Sequence, residues 1–287
     1  MKSTLSHNRN RRIKGFIIHV LCLMSVAFAL ISLAIIMSDA IIDGLPWFDI
    51  QFITSYPSRF PERAGILAAL AGSVWIVLFT ALFSFPLGVT AAIYLEEYAT
   101  HNTLNRLINV NIANLAGVPS IVYGILGLGL FVDFLRIGRS VLAGSLTLAL
   151  LILPVIIIAS REAIRSVPRE YREGAYALGA SRWRVTRDIV FSQAFPGMLT
   201  GTILALSRAI GEAAPMVAIA ALVYIRFVPS SPFDRFTVMP IQIFNWVNLP
   251  QADFRGLAAA GILVLLLVLL SMNLVAVFLR NKYQRRG

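Results

Sequence analysis

Lysine, cysteine, histidine and charge in general are scarce in this chain. The three lysines, Lys2, Lys14 and Lys282, lie near the ends of the sequence, and none stands in a Gly-x-x-x-x-Gly-Lys-Ser/Thr setting, so no nucleotide-binding P-loop exists. Cys22 is the single cysteine, which excludes an intrachain disulfide and a cysteine metal cluster; it reads as a small apolar packing residue. His7, His19 and His101 are scattered without His-Glu-x-x-His spacing, and there is no Gly-x-Ser-x-Gly elbow, so a membrane metalloprotease and a serine hydrolase both lack support. No catalytic residue, no metal site and no cofactor bound by this chain is expected. Charged residues are 14% of the 287, against about 25% in soluble domains, and that shortage excludes an ordinary soluble fold.

What the chain has instead is apolar surface: 58% of residues are hydrophobic and the mean hydropathy is +0.78. Apolar runs of about 20 residues recur, each long enough to cross a hydrocarbon core of about 30 Å as a helix. The sequence predicts an all-α polytopic membrane protein of six transmembrane helices, at about 16–38, 66–95, 109–133, 141–160, 197–225 and 257–279. Loops then alternate between the two sides of the bilayer. One side collects 17 of the 25 Lys and Arg residues, the other seven, and Arg208 alone falls inside a span. This bias places the basic tails 1–15 and 280–287 and the 161–196 loop in the cytoplasm, with loops 39–65 and 226–256 outside. The net charge of +11 thereby marks topology rather than a nucleic-acid partner. The apolar run from Gly15 to Met37 is too long for a signal peptide's core, and Ser38-Asp39-Ala40-Ile41 lacks a small-x-small cleavage site, so it reads as the first span.

The outer loops are punctuated by Pro46-Trp47-Phe48, Tyr56-Pro57 and Pro229 to Pro232, which favour turns. Trp47, Trp246, Tyr56 and Tyr224 lie near span ends, where amphipathic rings suit the headgroup zone. Within the spans stand Pro86, Gly117 with Pro119, Gly124, Gly127, Gly129, Pro154, Gly211 and Pro215. Close helix packing, as at Gly197-x-x-x-Gly201, explains such residues, and so does an unwound segment lining a pathway. The residues alone leave both readings open.

Two features carry chemistry. Arg208 and Glu212 lie in the fifth span, where each isolated charge costs roughly 2.5–3.5 kcal/mol. Their i, i+4 spacing lets them pair, although Arg before Glu is the less favourable order. Ser207, Gly211, Ala213 and Ala214 make the surroundings small and polar, as suits a helix facing a bundle interior or watery cavity. A buried guanidinium stays charged and matches two oxygens of an oxyanion at once. The second feature is the stretch from Arg161 to Phe195. Pro168 fits a helix's first turn, Glu170 and Glu173 suit its positive end, Gly179 ends it, and Ser181 can cap a second helix through Asp188. Ala175, Tyr176, Ala177, Leu178 and Trp183 give this loop an apolar face suited to a cytosolic partner.

These residues resemble a family. Glu173-Gly174-Ala175-x-x-x-Gly179, with Ile189 after nine more residues, looks like the EAA loop of ABC-importer permeases, with Gly174, Phe191 and Ser192 standing where the usual pattern has Ala, Leu and Pro. Gly117-Val-Pro-Ser-Ile-Val-Tyr-Gly124 and Arg208-Ala-Ile-Gly-Glu-Ala-Ala-Pro215 resemble phosphate importer permeases, the latter in its PstA-type form. The resemblance implies a type I ABC-importer permease fold in the bacterial inner membrane. It also implies a second, PstC-type permease subunit, a PstB-type ATPase dimer that holds ATP with magnesium, and a PstS-type periplasmic phosphate-binding protein. Glu173, Gly174, Ala175 and Gly179, with Leu178 and Trp183 on the apolar face, then fall on the ATPase-docking loop, and Arg208 and Glu212 on the phosphate path. A permease for sulfate or molybdate, or an ion-coupled secondary transporter, is the competing expectation.

Overall fold

The computed structural model describes residues 2–100, 102–219 and 224–284. The expectations for His101, for positions 220–223 of the fifth span, for the side chains before Gly15 and for Arg285 and Arg286 lie outside the described residues.

Every long element is a helix, as chain-satisfied backbone hydrogen bonding in lipid requires. They are α1 (Lys2–Gly44), α2 (Leu67–Ile93), α3 (Thr103–Ala116), α4 (Ser120–Gly127) and α5 (Val141–Arg165). Then follow α6 (Arg169–Ala177), α7 (Arg182–Ile210), α8 (Ala214–Ile219), α9 (Met239–Val247) and α10 (Asp253–Gln284). Among the described residues five helices are long and apolar enough to cross a membrane, and α3 with the α4 segment through Phe134 forms a bent pair that makes a sixth if the two are one span. The 25 residues of α5 reach about 38 Å at 1.5 Å per residue.

α5 is the centre and α1 the rim: 67% of the most apolar stretch of α5 is buried, against 0% for α1. Small and polar residues bring α2 and α5 close. The Thr80 hydroxyl donates to the Ser145 carbonyl at 3.2 Å, and the Ser145 hydroxyl to the Ile76 carbonyl at 3.3 Å. Around them Ile76, Leu148, Ile152, Ile156, Ala205, Met216 and Phe236 form the middle of the core. The exposed Val74, Leu78, Leu82 and Leu87 of α2 form the outward apolar face a bilayer solvates.

Two further clusters define the ends. Phe52, Ile66, Met239, Trp246, Phe254 and Leu257 join the start of α2 to α9 and the start of α10. Val89, Ala92, Ile164, Val185, Val190 and Met198 join the ends of α2 and α5 to the start of α7. α1 runs antiparallel to α10, since a Cβ on Gly44 would sit 2.7 Å from Ala259. The beginning of α1, the end of α10 and the α6 loop therefore share one end of the bundle.

The third span, expected at about 109–133 with Gly117 and Pro119 left open between close packing and an unwound segment, bends by 101° between Ala116 and Ser120. Pro119 has no N–H to give a continuing helix and disfavours helical Val118 before it. The loop's second helix, expected to end at Asp188, does not stop there: one helix runs from Arg182 to Ile210, through a π-helical stretch at Val185–Phe191. Pro196 lies at the middle of this helix without ending it. Ser181 holds the N-cap position but makes no side-chain capping bond. The fifth span breaks at Gly211–Ala213 before α8, whose second residue, Pro215, suits the start of a helix.

Candidate functional site

The two breaks meet. α4 packs on α8 with Gly124 against Pro215, where a Cβ would lie 2.7 Å from the proline Cα, so glycine alone fits this approach. Tyr123 donates its hydroxyl to the Leu115 carbonyl at 2.8 Å, bridging the bend and adding to the Val118 N–H that the same carbonyl already accepts at 3.1 Å. Beneath lies a cavity of about 270 Å³ lined by Gly117, Pro119, Ser120, Tyr123, Val155 and Arg208, among others. The two motif stretches, some ninety residues apart in sequence, are thus the walls of one cavity, and the small residues of the third span serve both readings left open: close packing at Gly124, an unwound pathway segment at Gly117–Pro119.

Arg208 and Glu212 are close but loosely joined. Their Nε and Oε1 lie 3.5 Å apart, with Arg208 64% and Glu212 18% exposed. Arg208 belongs to a stripe. Gln193, Gly197, Leu204, Arg208 and the capping Gly211 are all exposed, and at about 100° per residue they fall within about 60° of one another. That face holds one large apolar side chain, unlike the leucine-rich outer face of α2. Gly197 and Gly201 flank it and press on α5, a Cβ at either position meeting the Cβ of Ala163 or Ala159. The Ser207 hydroxyl beside Arg208 is buried without a partner among the described residues.

At the opposite end the loop is folded as a helix, a break and a helix. Pro168 takes the N-cap position, one residue before α6 rather than within its first turn. Gly179 has φ +80°. Its N–H donates to the Tyr176 carbonyl at 2.9 Å and the Ala180 N–H to the Ala175 carbonyl at 3.0 Å, the paired bonds of a Schellman stop. Ala175 turns inward against the cluster that joins the ends of α2 and α5 to the start of α7. Glu173 and Gly174 point outward, and a Cβ on Gly174 or Gly179 would meet nothing within 4 Å. Leu178 is 91% exposed and Trp183 61%; these apolar side chains are left uncovered within the chain.

Sequence reasoning missed the acidic doublet Glu96-Glu97 beneath this loop. It lies in the π-helical turn Tyr94–Tyr98 that ends the second span. Arg161 Nε reaches Glu96 Oε1 at 2.6 Å and Arg165 Nη2 reaches the same oxygen at 2.9 Å. Arg172 Nη2 reaches Glu97 Oε1 at 3.1 Å while its guanidinium also donates to the Val167 and Ile164 carbonyls, both at 2.9 Å. Arg182 donates to the Glu97 carbonyl and lies over the Tyr98 ring, 5.0 Å from its centroid. The available signal was two adjacent carboxylates at the end of an apolar run, opposite a loop rich in arginine.

Among the described residues no group of three or more His, Cys, Asp or Glu is placed to hold a metal. Five apolar helices and a bent pair, a cavity lined by Arg208 beside the breaks and an exposed loop at one end are the architecture of a multi-pass membrane protein. The chain belongs to the family of binding-protein-dependent transport system inner membrane components, whose family model matches residues 84–285. It is similar to the probable ABC transporter permease protein YqgI of Bacillus subtilis, with 35% identity over 89% of this chain and 90% of that protein. It is similar to the phosphate transport system permease protein PstA 1 of Mycobacterium tuberculosis strain H37Rv at 33% identity, over 96% of this chain and 90% of that one. Its fold is that of a permease chain in the crystal structure of a bacterial alginate ABC transporter, with TM-score 0.67 at 13% identity over 91% and 92% of the two chains. The protein is therefore a non-catalytic, multi-pass inner-membrane permease component of an ABC-type importer with the type I importer fold, a class that works with a partner permease and an ATPase.

Proposed function

We propose that this chain is the PstA-type permease subunit of an ATP-driven inorganic phosphate importer, and that Arg208 and Glu212 lie on the phosphate path. The observation that carries this reading is the 64% exposure of Arg208 in the last turn of an apolar helix long enough to cross a membrane, beside a cavity rather than packed away. A charge so placed in hydrocarbon is costly, so such residues face bundle interiors or water. Arg208 supplies a transient favourable site for the anion, since its guanidinium offers paired donors to two phosphate oxygens. Glu212 keeps that site from holding the anion too tightly. The exposed stripe from Gln193 to Gly211 faces the PstC-type subunit, and the two chains close the path between them. Curated relatives named as phosphate permeases support the substrate, including PstA of Yersinia pestis at 31% identity.

Residues 161–196, carrying the EAA-type pattern, form the docking loop for a PstB-type ATPase dimer, which holds the ATP and magnesium. Glu173, Gly174, Ala175, Leu178, Gly179 and Trp183 supply its docking surface. Both tails, 1–15 and 280–287, lie with it in the cytoplasm. A PstS-type protein delivers phosphate from the periplasm at the 39–65 and 226–256 loops, and residues 66–279 form the permease core. ATP-driven closure of the ATPase moves the loop and opens the path alternately to each side.

Phosphate uptake by the assembled complex tests the reading. Arg208→Gln is expected to abolish uptake while the complex still assembles; unchanged uptake refutes the path assignment. Competition by sulfate or molybdate as strong as by phosphate would assign another oxyanion. Joint replacement of Leu178 and Trp183 by alanine is expected to release the ATPase from the membrane, and unchanged co-purification refutes the docking surface.

A further inference from the structure

Glu96 and Glu97 tie three otherwise separate parts of the chain to the end of the second span. Glu96 holds Arg161 and Arg165 from the last turns of α5, and Glu97 holds Arg172 of α6 and, through its carbonyl, Arg182 at the start of α7. Arg161 also donates to the Asn109 side chain of α3 at 2.7 Å, so a fourth element joins the same cluster. The inner contacts are shielded, with side-chain exposure of 15% at Glu96, 9% at Glu97, 14% at Arg161 and 19% at Arg172, while Arg165 and Arg182 close the cluster from its exposed rim. Charge-assisted hydrogen bonds in such surroundings are short, directional and poorly screened. The loop's outward side is the reverse, with bare apolar groups at Leu178 and Trp183 and no internal bond to resist a pull. The apolar contact between loop and α2, through Val89, Ala92 and Val185, is non-directional and can slide.

The geometry points to Glu96 and Glu97 as positioning residues that latch the cytoplasmic loop to α2, so that displacement of the loop is delivered to the second span as well as to α5 and α7. This rests on the ATPase docking at the loop. The latch stays closed through the cycle, because opening it strips two largely buried carboxylates of their guanidinium partners. α2 lies directly against α5 at the centre of the core, so a pull on its cytoplasmic end repacks the bundle from within rather than only rocking its edge.

Amide hydrogen exchange on the whole complex, with and without a non-hydrolysable ATP analogue, separates the possibilities. In the unaltered complex the analogue is expected to change exchange at both Arg169–Ala177 and Tyr94–Tyr98. In the Glu96→Gln/Glu97→Gln variant the change at Arg169–Ala177 persists and that at Tyr94–Tyr98 falls to less than about half. Phosphate moved per ATP hydrolysed is expected to drop about tenfold in this variant while the ATPase still co-purifies. An identical exchange response in the variant, or none at Tyr94–Tyr98 in the unaltered complex, overturns the latch. No response at Arg169–Ala177 in the unaltered complex overturns the docking reading and the latch with it. The single variants Glu96→Gln and Glu97→Gln accompany the double one, and failure of both to assemble assigns the doublet to folding instead, which also refutes the latch.

Discussion

Two sets of arginine–glutamate contacts lie at membrane depth or at its edge, and they are built in opposite ways. In the fifth span Arg208 and Glu212 stand 3.5 Å apart, with the guanidinium 64% exposed. At the end of the second span Arg161 and Glu96 meet at 2.6 Å, with exposures of 14% and 15%. The first pair is local, i to i+4, with Arg208 in the last turn of its helix and Glu212 in the break that follows, and the arginine remains free to turn toward a ligand. The second joins positions 65 residues apart and spends its hydrogen-bonding capacity inside the chain. An exposed, underused guanidinium suits transient anion binding; a saturated one suits structure. Charge type is the same in both, and surroundings decide the role.

Mutation can break this contrast. The largest expected effect is on transport: Arg208→Gln lowers phosphate uptake by at least about a hundredfold, equivalent to about 2.8 kcal/mol at about 1.4 kcal/mol per decade. The melting temperature of the complex stays almost unchanged, because an exposed pair contributes about 0–1 kcal/mol. Glu96→Gln adds a loss of stability that Arg208→Gln does not show. Leaving Arg161 and Arg165 without their carboxylate is expected to cost about 2 kcal/mol of stability, measured by thermal unfolding in detergent, and equal melting of the Arg208 and Glu96 variants would erase the contrast. Gly124→Ala forces the α4–α8 approach apart and costs about 1–2 kcal/mol, with a loss of uptake that tracks opening of the cavity in a thiol-accessibility assay of nearby positions.

The smallest effect belongs to a carboxylate that takes no part in either set. Asp234 accepts from the Ser230 and Ser231 N–H groups at 2.8 and 2.9 Å. Hydrogen bonds from Ser230 and then Ser231 hold its carboxyl below the ordinary value of 3.8. A lowered folded value stabilises the turn above the unfolded value, and that contribution is lost as pH falls through the lowered one. Hydrogen exchange at Ser230 and Ser231 is expected to rise only in that acidic window, and Asp234→Asn should remove the dependence.

The helical loop was legible because its cues are local. Pro168, Glu170 and Gly179 act within a turn or two of themselves, and the Schellman bonds at Gly179 need only backbone nearby. Arg208 was legible because a charge in an apolar run is anomalous whatever surrounds it. The extent of the helix starting at Arg182 was misread because polar residues such as Arg187 and Asp188 look like a boundary, whereas backbone hydrogen bonding does not stop at the membrane surface. The bend at Gly117–Pro119 had a visible cause but an invisible size, since a proline in a span can be absorbed, as Pro154 is within α5. Glu96 and Glu97 escaped notice because their partners lie 65–85 residues away, and no periodicity relates them.

The sequence by itself determined that this is an all-helical membrane protein, which loops collect the positive charge, where the loop helix begins and ends, and that one arginine has to be accommodated inside a span. These follow from transfer free energies and short-range backbone sterics, which act on each segment alone. Only the tertiary structure decided that Gly124 and Pro215 touch, that Arg208 opens on a cavity instead of packing against Glu212, and that the doublet at 96–97 anchors the loop. Those outcomes depend on which helices share a boundary in space, and packing of surfaces distant in sequence is a property of the assembled bundle that no single stretch encodes.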